Sequence, residues 1–368
     1  MSFTLFFVVV SLGWLIILGL EKVGKLPAER HAIILLFKTE RFKGFIDRVA
    51  RFKRFWKVFG SAGIVFGILG MVLVVITMLL AAYSTYIGRK PVEGAMFVIP
   101  GVTIPFWYGI IALITVLVVH EFAHGILARR EGISIKSMGA ILVTIIPIGA
   151  FVEPDEEELE AAARGPRMRV YSAGPFANMV VAIFSLVLII AFSGFLFNAQ
   201  VVEIDGVVEG SPAFGVLEEG MVLEEINGLA IQSPKDFVKA TVELEPDKDV
   251  TIKTDRGTFT ITSTTRVNYP DRGYIGIFVT SPFNGVVQEY IYGILYWIFL
   301  LNQGIGLINM APLHLGIAAT DGHHILRDVL SKIGIKGAEK ATMAVSKTVT
   351  FVLLLVLVGP LFSSYFGV

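Results

Sequence analysis

The chain has 368 residues, 54% of them hydrophobic and only 17% charged, with 31 basic residues balanced by 31 acidic ones. Soluble domains carry about a quarter charged residues, so a chain this poor in charge is solvated in part by lipid. The absence of cysteine excludes disulfides, cysteine-based zinc ribbons and a thiol nucleophile.

Crossing a hydrocarbon core takes roughly 20 apolar residues. Runs at 3–20, 61–83, 104–128, 171–196, 286–310 and 343–363 qualify, which predicts about six membrane spans. The first has no basic residue before its apolar run and no small-residue cleavage site before Glu21 and Lys22, so it reads as a retained anchor. Segment 38–57 between the first two runs holds eight basic residues, including Lys38, Arg41, Arg48 and Lys57, against Glu40 and Asp47. Phe42, Phe45, Phe52, Phe55 and Trp56 are interleaved with them, a pattern expected of an amphipathic helix on an anionic leaflet rather than of a nucleic-acid surface. Basic residues in short loops mark the cytoplasmic side. Alternation then places Arg129, Arg130, Arg164, Arg167 and Arg169 inside too, with Arg89 and Lys90 as external exceptions and both termini outside.

Residues 198–280 break the hydrophobic pattern with short β-like runs separated by Asp205-Gly206, Asn227-Gly228 and Asp255-Arg256-Gly257. Turn signals at this spacing predict a small β-rich domain, on the extracytoplasmic side. Its GSPA (210–213) and EGMVLEEINGLAI (219–231) resemble the PDZ pattern, with Gly220-Met221 where Gly-Asp is usual. The expected organisation is an N-terminal membrane pair with its basic segment (1–100), a first part of a membrane core (101–197), the inserted domain (198–282), and a second part of the core with the last helix (283–368).

The third run reads FWYGIIALITVLVVHEFAHGILARREG. Residues four apart share a helix face, so His120 and His124 can offer two imidazoles to one tetrahedral Zn²⁺. Glu121 lies about 100° round the helix, placed to reach a water rather than the ion, which is the zincin arrangement of two ligands and a general base. An HExxH alone is weak evidence. Here it follows the apolar stretch 110–119, where ionisable groups cost roughly 2.5–3.5 kcal/mol each and are retained for function. Arg129 follows His124 by about 7.5 Å of helix, which sets the site in the membrane near its cytoplasmic face.

A third ligand is required. The segment NMAPLHLGIAATDGHHIL, 309–326, offers Asp321 in competition with His314, His323 and His324. Asp321 is also suited to N-cap the helix that follows. In RVYSAGPFANMVV, 169–181, Gly174-Pro175 is expected to start or bend the fourth span. Asn178 then lies one turn inside it, placed to steady a catalytic water or an oxyanion, or to make an interhelical hydrogen bond.

Together, HEFAH in a membrane helix, SAGPFAN at the next span, an inserted PDZ-like domain and DGH near the C-terminus resemble the site-2 protease family of intramembrane metalloproteases, over about residues 100–330 and with an archaeal cast. The resemblance implies an α-helical polytopic membrane protein with one inserted β-rich domain. It implies one Zn²⁺ held by His120, His124 and Asp321, Glu121 as base, Asn178 as the asparagine of the fourth-span motif, and single-span membrane proteins as substrates within the lipid bilayer. One departure concerns Asn309-Met-Ala-Pro312, after which Asp321 comes several residues later than the family spacing and follows Thr320. The apolar stretch 139–152 is too short to span and resembles the family's re-entrant β-like loop, with 153–160 a solvated acidic helix start. A metal-transporting membrane protein would instead spread ionisable residues along a pore, and an inert scaffold would bind no zinc.

Overall fold

The computed structural model describes residues 3–24, 28–40, 42–87, 98–266, 269–316 and 318–366. Arg41, Arg89 and Lys90, which entered the charge argument, lie outside the described residues. The chain divides into two compact units, residues 1–186 with 296–368, and residues 187–295. The domain expected at 198–282 falls inside the second unit.

In chain order the first unit begins with α1 (Phe3–Lys22), β1 (Glu29–His31), β2 (Ile34–Thr39), α2 (Lys43–Ala50), α3 (Lys53–Tyr86) and α4 (Phe106–Glu131). It continues with β3 (Ile135–Val143), β4 (Ile146–Pro154), α5 (Glu156–Ala161) and α6 (Arg164–Ala191). In the second unit come α7 (Ser193–Leu196), α8 (Pro234–Val242) and eight strands, β5 (Glu203–Val207), β6 (Leu223–Ile226), β7 (Leu229–Ala230), β8 (Asp249–Thr254), β9 (Gly257–Thr262), β10 (Thr264–Arg266), β11 (Tyr269–Tyr274) and β12 (Ile277–Thr280). Last come α9 (Val286–Met310), α10 (Asp321–Lys332) and α11 (Ala338–Phe366).

Among the described residues, five helices are long and apolar enough to cross a membrane: α3, α4, α6, α9 and residues 338–357 of α11. The expected span at 3–20 forms α1. Two expectations are corrected. The fourth span was expected to begin or bend at Gly174-Pro175; it does not begin there, since α6 starts at Arg164 and carries Pro175 in its interior, where proline removes a single ladder hydrogen bond that packed neighbours tolerate in membrane helices. The basic stretch 38–57 is not one amphipathic helix. It is the end of β2, the short α2 and the first turns of α3.

The buried stripe of α4 runs Ala112, Val116, His120, Ala123 and Leu127, at the three-and-four spacing of one helix face. Its opposite face, with Ile111, Ile114 and Val118 exposed, is equally apolar, as a lipid-facing surface requires. A glycine-lined face of α3 packs on the same core: Gly60 meets Leu127, Gly63 meets Ser172, Gly67 meets Ile325 and Gly70 meets Met310. Small residues let membrane helices approach closely, and dispersion does the holding. One apolar core joins Ile46, Leu127, Met138, Val152, Tyr171, Ala177 and Ile325.

The apolar stretch 139–152, expected as a β-like loop, lies in a hairpin. β3 and β4 pair antiparallel, and β1 and β2 extend the sheet in the order β1-β2-β3-β4. In the second unit the order β7-β6-β8-β9, with the pairs β12-β5 and β10-β11, encloses Val202, Ile204, Leu223, Ile226, Val250 and Ile252. The β6–β7 turn is Asn227-Gly228, with φ of 49° and 80°, the two positive values a tight type I′ hairpin needs.

Candidate metal centre

His120 and His124 lie in the C-terminal half of α4 and face Asp321, the first residue of α10. His120 Nε2 is 3.2 Å and His124 Nε2 3.4 Å from Asp321 Oδ2, and the two Nε2 atoms are 3.1 Å apart. Zinc bonds to nitrogen and oxygen are about 2.0–2.1 Å long, so the ligand atoms of a tetrahedral site lie about 3.3 Å from one another. The three donor atoms match the edges of that tetrahedron, and the side chains are nearly closed to solvent, at 11%, 12% and 13% exposure. Two imidazoles with one carboxylate form a donor set suited to zinc. Among the described residues this is the group of histidines and carboxylates able to hold a metal ion.

The surroundings keep the site open to an ion. A Cβ placed on Gly174 of α6 would stand 2.4 Å from His124 Nε2 and 2.7 Å from His120 Nε2. The space that glycine leaves is the space beside both nitrogens, so Gly174 clears the site as well as shaping its helix. Gly322 serves the other ligand. A Cβ there would lie 2.1 Å from the Met310 carbonyl oxygen, so only glycine lets the start of α10 tuck under the end of α9.

The second ring nitrogens fix the imidazoles. His124 Nδ1 is 2.8 Å from the Val170 carbonyl oxygen, which can only accept. Nδ1 therefore carries the hydrogen, and the Nε2 lone pair faces the site. His120 Nδ1 is 3.2 Å from the amide of Asn178, which is fully buried and whose Oδ1 has no partner. Glu121 Oε2 accepts from the Val152 N–H of β4 at 2.9 Å.

The late position of Asp321 has a plain structural cause. Thr320 N–H donates to Leu313 O at 3.2 Å, and Leu313 N–H donates to Thr320 Oγ1 at 3.0 Å. These bonds bring Thr320 back beside Leu313, so the chain returns to the place it left. Thr320, not Asp321, is the N-cap residue of α10, so the aspartate is spared that role. It sits at the positive end of the helix dipole.

The competing histidines are engaged elsewhere. His323 Nδ1 is 2.8 Å from Ser346 Oγ. Burial, with His324 and His314 beside it, lowers its pKa to about 4, so it is neutral at physiological pH. His324 stacks on Tyr171 with ring centroids 4.5 Å apart, and burial likewise lowers its pKa. His314 Nδ1 accepts from the Gly316 N–H.

Sequence reasoning missed three parts of this arrangement: the hold of Val152 on Glu121, the space left by Gly174, and a set of arginine pairs below the site. Arg167 grips the buried Asp328 of α10 with two hydrogen bonds. Arg169 grips Glu131 at the end of α4 at 2.7 and 2.9 Å. The SAGPFAN motif carried the glycine signal, and the arginines of segment 164–169 were read only for the sidedness of the membrane.

A profile of peptidase family M50 matches residues 108–357. A protein of Methanocaldococcus jannaschii is 31% identical over 76% of this chain and 73% of its own length. An Arabidopsis thaliana protein, a membrane-bound transcription factor site-2 protease homolog, is 26% identical over 64% of this chain, and the match spans 47% of that relative. The PDZ domain of an SdrC-like protein from Listeria monocytogenes is 24% identical over 22% of this chain and 88% of that domain, at a TM-score of 0.20. The chain belongs to peptidase family M50, the site-2 protease family, and is a zinc metalloprotease.

Proposed function

We propose that this protease hydrolyses peptide bonds within the transmembrane segments of membrane-protein substrates. The observation that carries the reading is the meeting of His120, His124 and Asp321 donor atoms within 3.4 Å of one another, on the interior face of a helix apolar enough to cross a bilayer. His120, His124 and Asp321 hold the zinc. When bound, zinc supplies Lewis acidity toward the scissile carbonyl and the attacking water.

Glu121 is the general base. It takes the proton from the water and returns it to the departing amine. The Val152 N–H holds one of its oxygens, which fixes the carboxylate and leaves the other oxygen to work. Asn178 is a positioning residue: it bears on His120 Nδ1, and with its amide turned to present Oδ1 it accepts the ring hydrogen and aims Nε2 at the ion. A helical substrate must unwind before its carbonyl can be attacked. Strand β4 ends the sheet order, and its outer edge can pair with the unwound segment. The basic residues support a centre near the cytoplasmic face, and the same alternation supports an extracytoplasmic PDZ-like segment at 198–282.

Glu121→Gln tests the reading. Purified and reconstituted, the variant should keep its zinc while cleavage of a single-span substrate falls by about a hundredfold to ten-thousandfold. Undiminished cleavage would refute the assignment.

A further inference from the structure

The proposed function leaves the basic corner between α2 and α3 unused. Arg48, Arg51, Lys53, Arg54 and Lys57 are all exposed, and none has an ion-pair partner among the described residues. The nearby acids do not neutralise them, since Asp47 pairs with Arg129 and Glu40 with Lys43. Between the cations stand large aromatic side chains: Phe45 is 51% exposed, Phe52 68% and Phe55 59%. Water alone gives no reason to display three phenylalanines beside five unpaired cations, whereas a headgroup layer accommodates both.

The corner is rigid. Ile46 is fully buried, and Phe42 and Phe45 contact Phe122 of the HEFAH segment with ring centroids 6.2 and 6.0 Å apart. Trp56 Nε1 donates to Val49 O at 2.8 Å, and Arg130 Nε donates to Lys53 O at 3.3 Å, tying the corner to the end of α4. Its depth follows from length. α3 has 34 residues, about 50 Å at 1.5 Å per residue against a hydrocarbon core of roughly 30 Å. The apolar part of α3 fills the core, and its cationic first turns stand in the headgroup region.

We infer that the α2–α3 corner is a preorganised binding surface for the headgroups of anionic phospholipids, with the guanidinium and ammonium groups on the phosphates and Phe45, Phe52 and Phe55 inserted at the acyl boundary. The inference needs the chain to span a membrane but not the proposed cleavage of membrane segments, so its test reads lipid and not proteolysis.

The full chain is reconstituted in vesicles of phosphatidylcholine and phosphatidylglycerol in equal parts, extracted in mild detergent, and its co-purifying lipid is measured by native mass spectrometry at low and high salt. The native protein should retain phosphatidylglycerol in preference to phosphatidylcholine, and salt should weaken that preference. Each cation removed should lower retention roughly fivefold at low salt. The combined variant Arg48→Gln, Arg51→Gln, Arg54→Gln and Lys57→Gln should lose the preference, while Lys235→Gln with Lys239→Gln in the second unit should keep it. The charge-keeping variant Arg48→Lys, Arg51→Lys and Arg54→Lys separates charge from fold: it should still retain the lipid. Equal retention of both lipids by the native protein, or an undiminished preference in the glutamine variant, would overturn the inference. So would displacement of phosphatidylglycerol by a duplex oligonucleotide or by polyglutamate.

Discussion

Two clusters of buried charge share the same three helices, and they differ in what balances them. In the arginine cluster, Asp328 is 1% exposed and meets Arg167, while Glu131 is 4% exposed and meets Arg169 and Arg130. Each carboxylate has its counter-charge in place, so the cluster is complete and fastens α6 to α10 and to the end of α4. In the metal cluster, Asp321 faces two imidazoles, and neither it nor Glu121 pairs with a lysine or arginine among the described residues. A buried carboxylate with no fixed cation is costly. The first cluster holds the fold together, and the second is unfinished until a cation arrives.

Breaking the complete cluster should have the larger effect on stability. Asp328→Ala leaves the guanidinium of Arg167 without its partner and should cost about 3–5 kcal/mol, read as a lowered thermal midpoint in lipid or detergent. Asp321→Ala in zinc-free protein should leave that midpoint unchanged or raise it. A loss equal to that of Asp328→Ala would erase the distinction.

A smaller effect is expected at Asn178. If it positions His120, Asn178→Ala should weaken zinc retention about 10–100-fold, measured by competition with a chelator, and Asn178→Asp should restore much of it by again accepting from the ring. A variant with normal zinc affinity and reduced cleavage would assign Asn178 to the substrate instead, as the sequence alone allowed.

The smallest effect is expected at the rim of the arginine cluster, where Glu160 is half exposed and meets Arg327 at 2.7 Å. Burial would raise its pKa, but hydrogen bonding and attraction from Arg327, with Arg167 behind, lower it overall. A carboxylate depressed in the folded state contributes stability above its unfolded pKa of about 4 and loses it as pH falls through the folded value. Glu160→Gln should therefore lower the midpoint slightly at neutral pH, by under about 1 kcal/mol for so exposed a pair, and the gap should close in acid. A gap that persists in acid would point to packing rather than charge.

Much of the metal centre was legible because its chemistry is local. His120, Glu121 and His124 announce themselves by spacing on one helix, whereas Asp321 was one of several candidates because its approach depends on the loop closed by Leu313 and Thr320. The fold was legible where turns use residues suited to positive φ. Asn227-Gly228 marked its hairpin, but the β1–β2 turn places Ala32 at φ 55° and the β3–β4 turn places Thr144 at φ 56°, and neither residue type signals a turn. The β1–β2 hairpin therefore went unread. Gly174 could not be interpreted without the imidazoles it makes room for, since sequence shows a missing Cβ but not what would have met it.

The central claim is that the unbalanced cluster is a zinc site built from two helices distant in sequence. The most direct measurement is zinc content with X-ray absorption at the zinc edge, on the purified chain and on Asp321→Ala. The account predicts one zinc ion per chain in the native protein, with two imidazoles and oxygen in its first coordination sphere, and marked loss of zinc in the variant. Zinc bound equally well without Asp321, or a native spectrum lacking the imidazole pair, would contradict it.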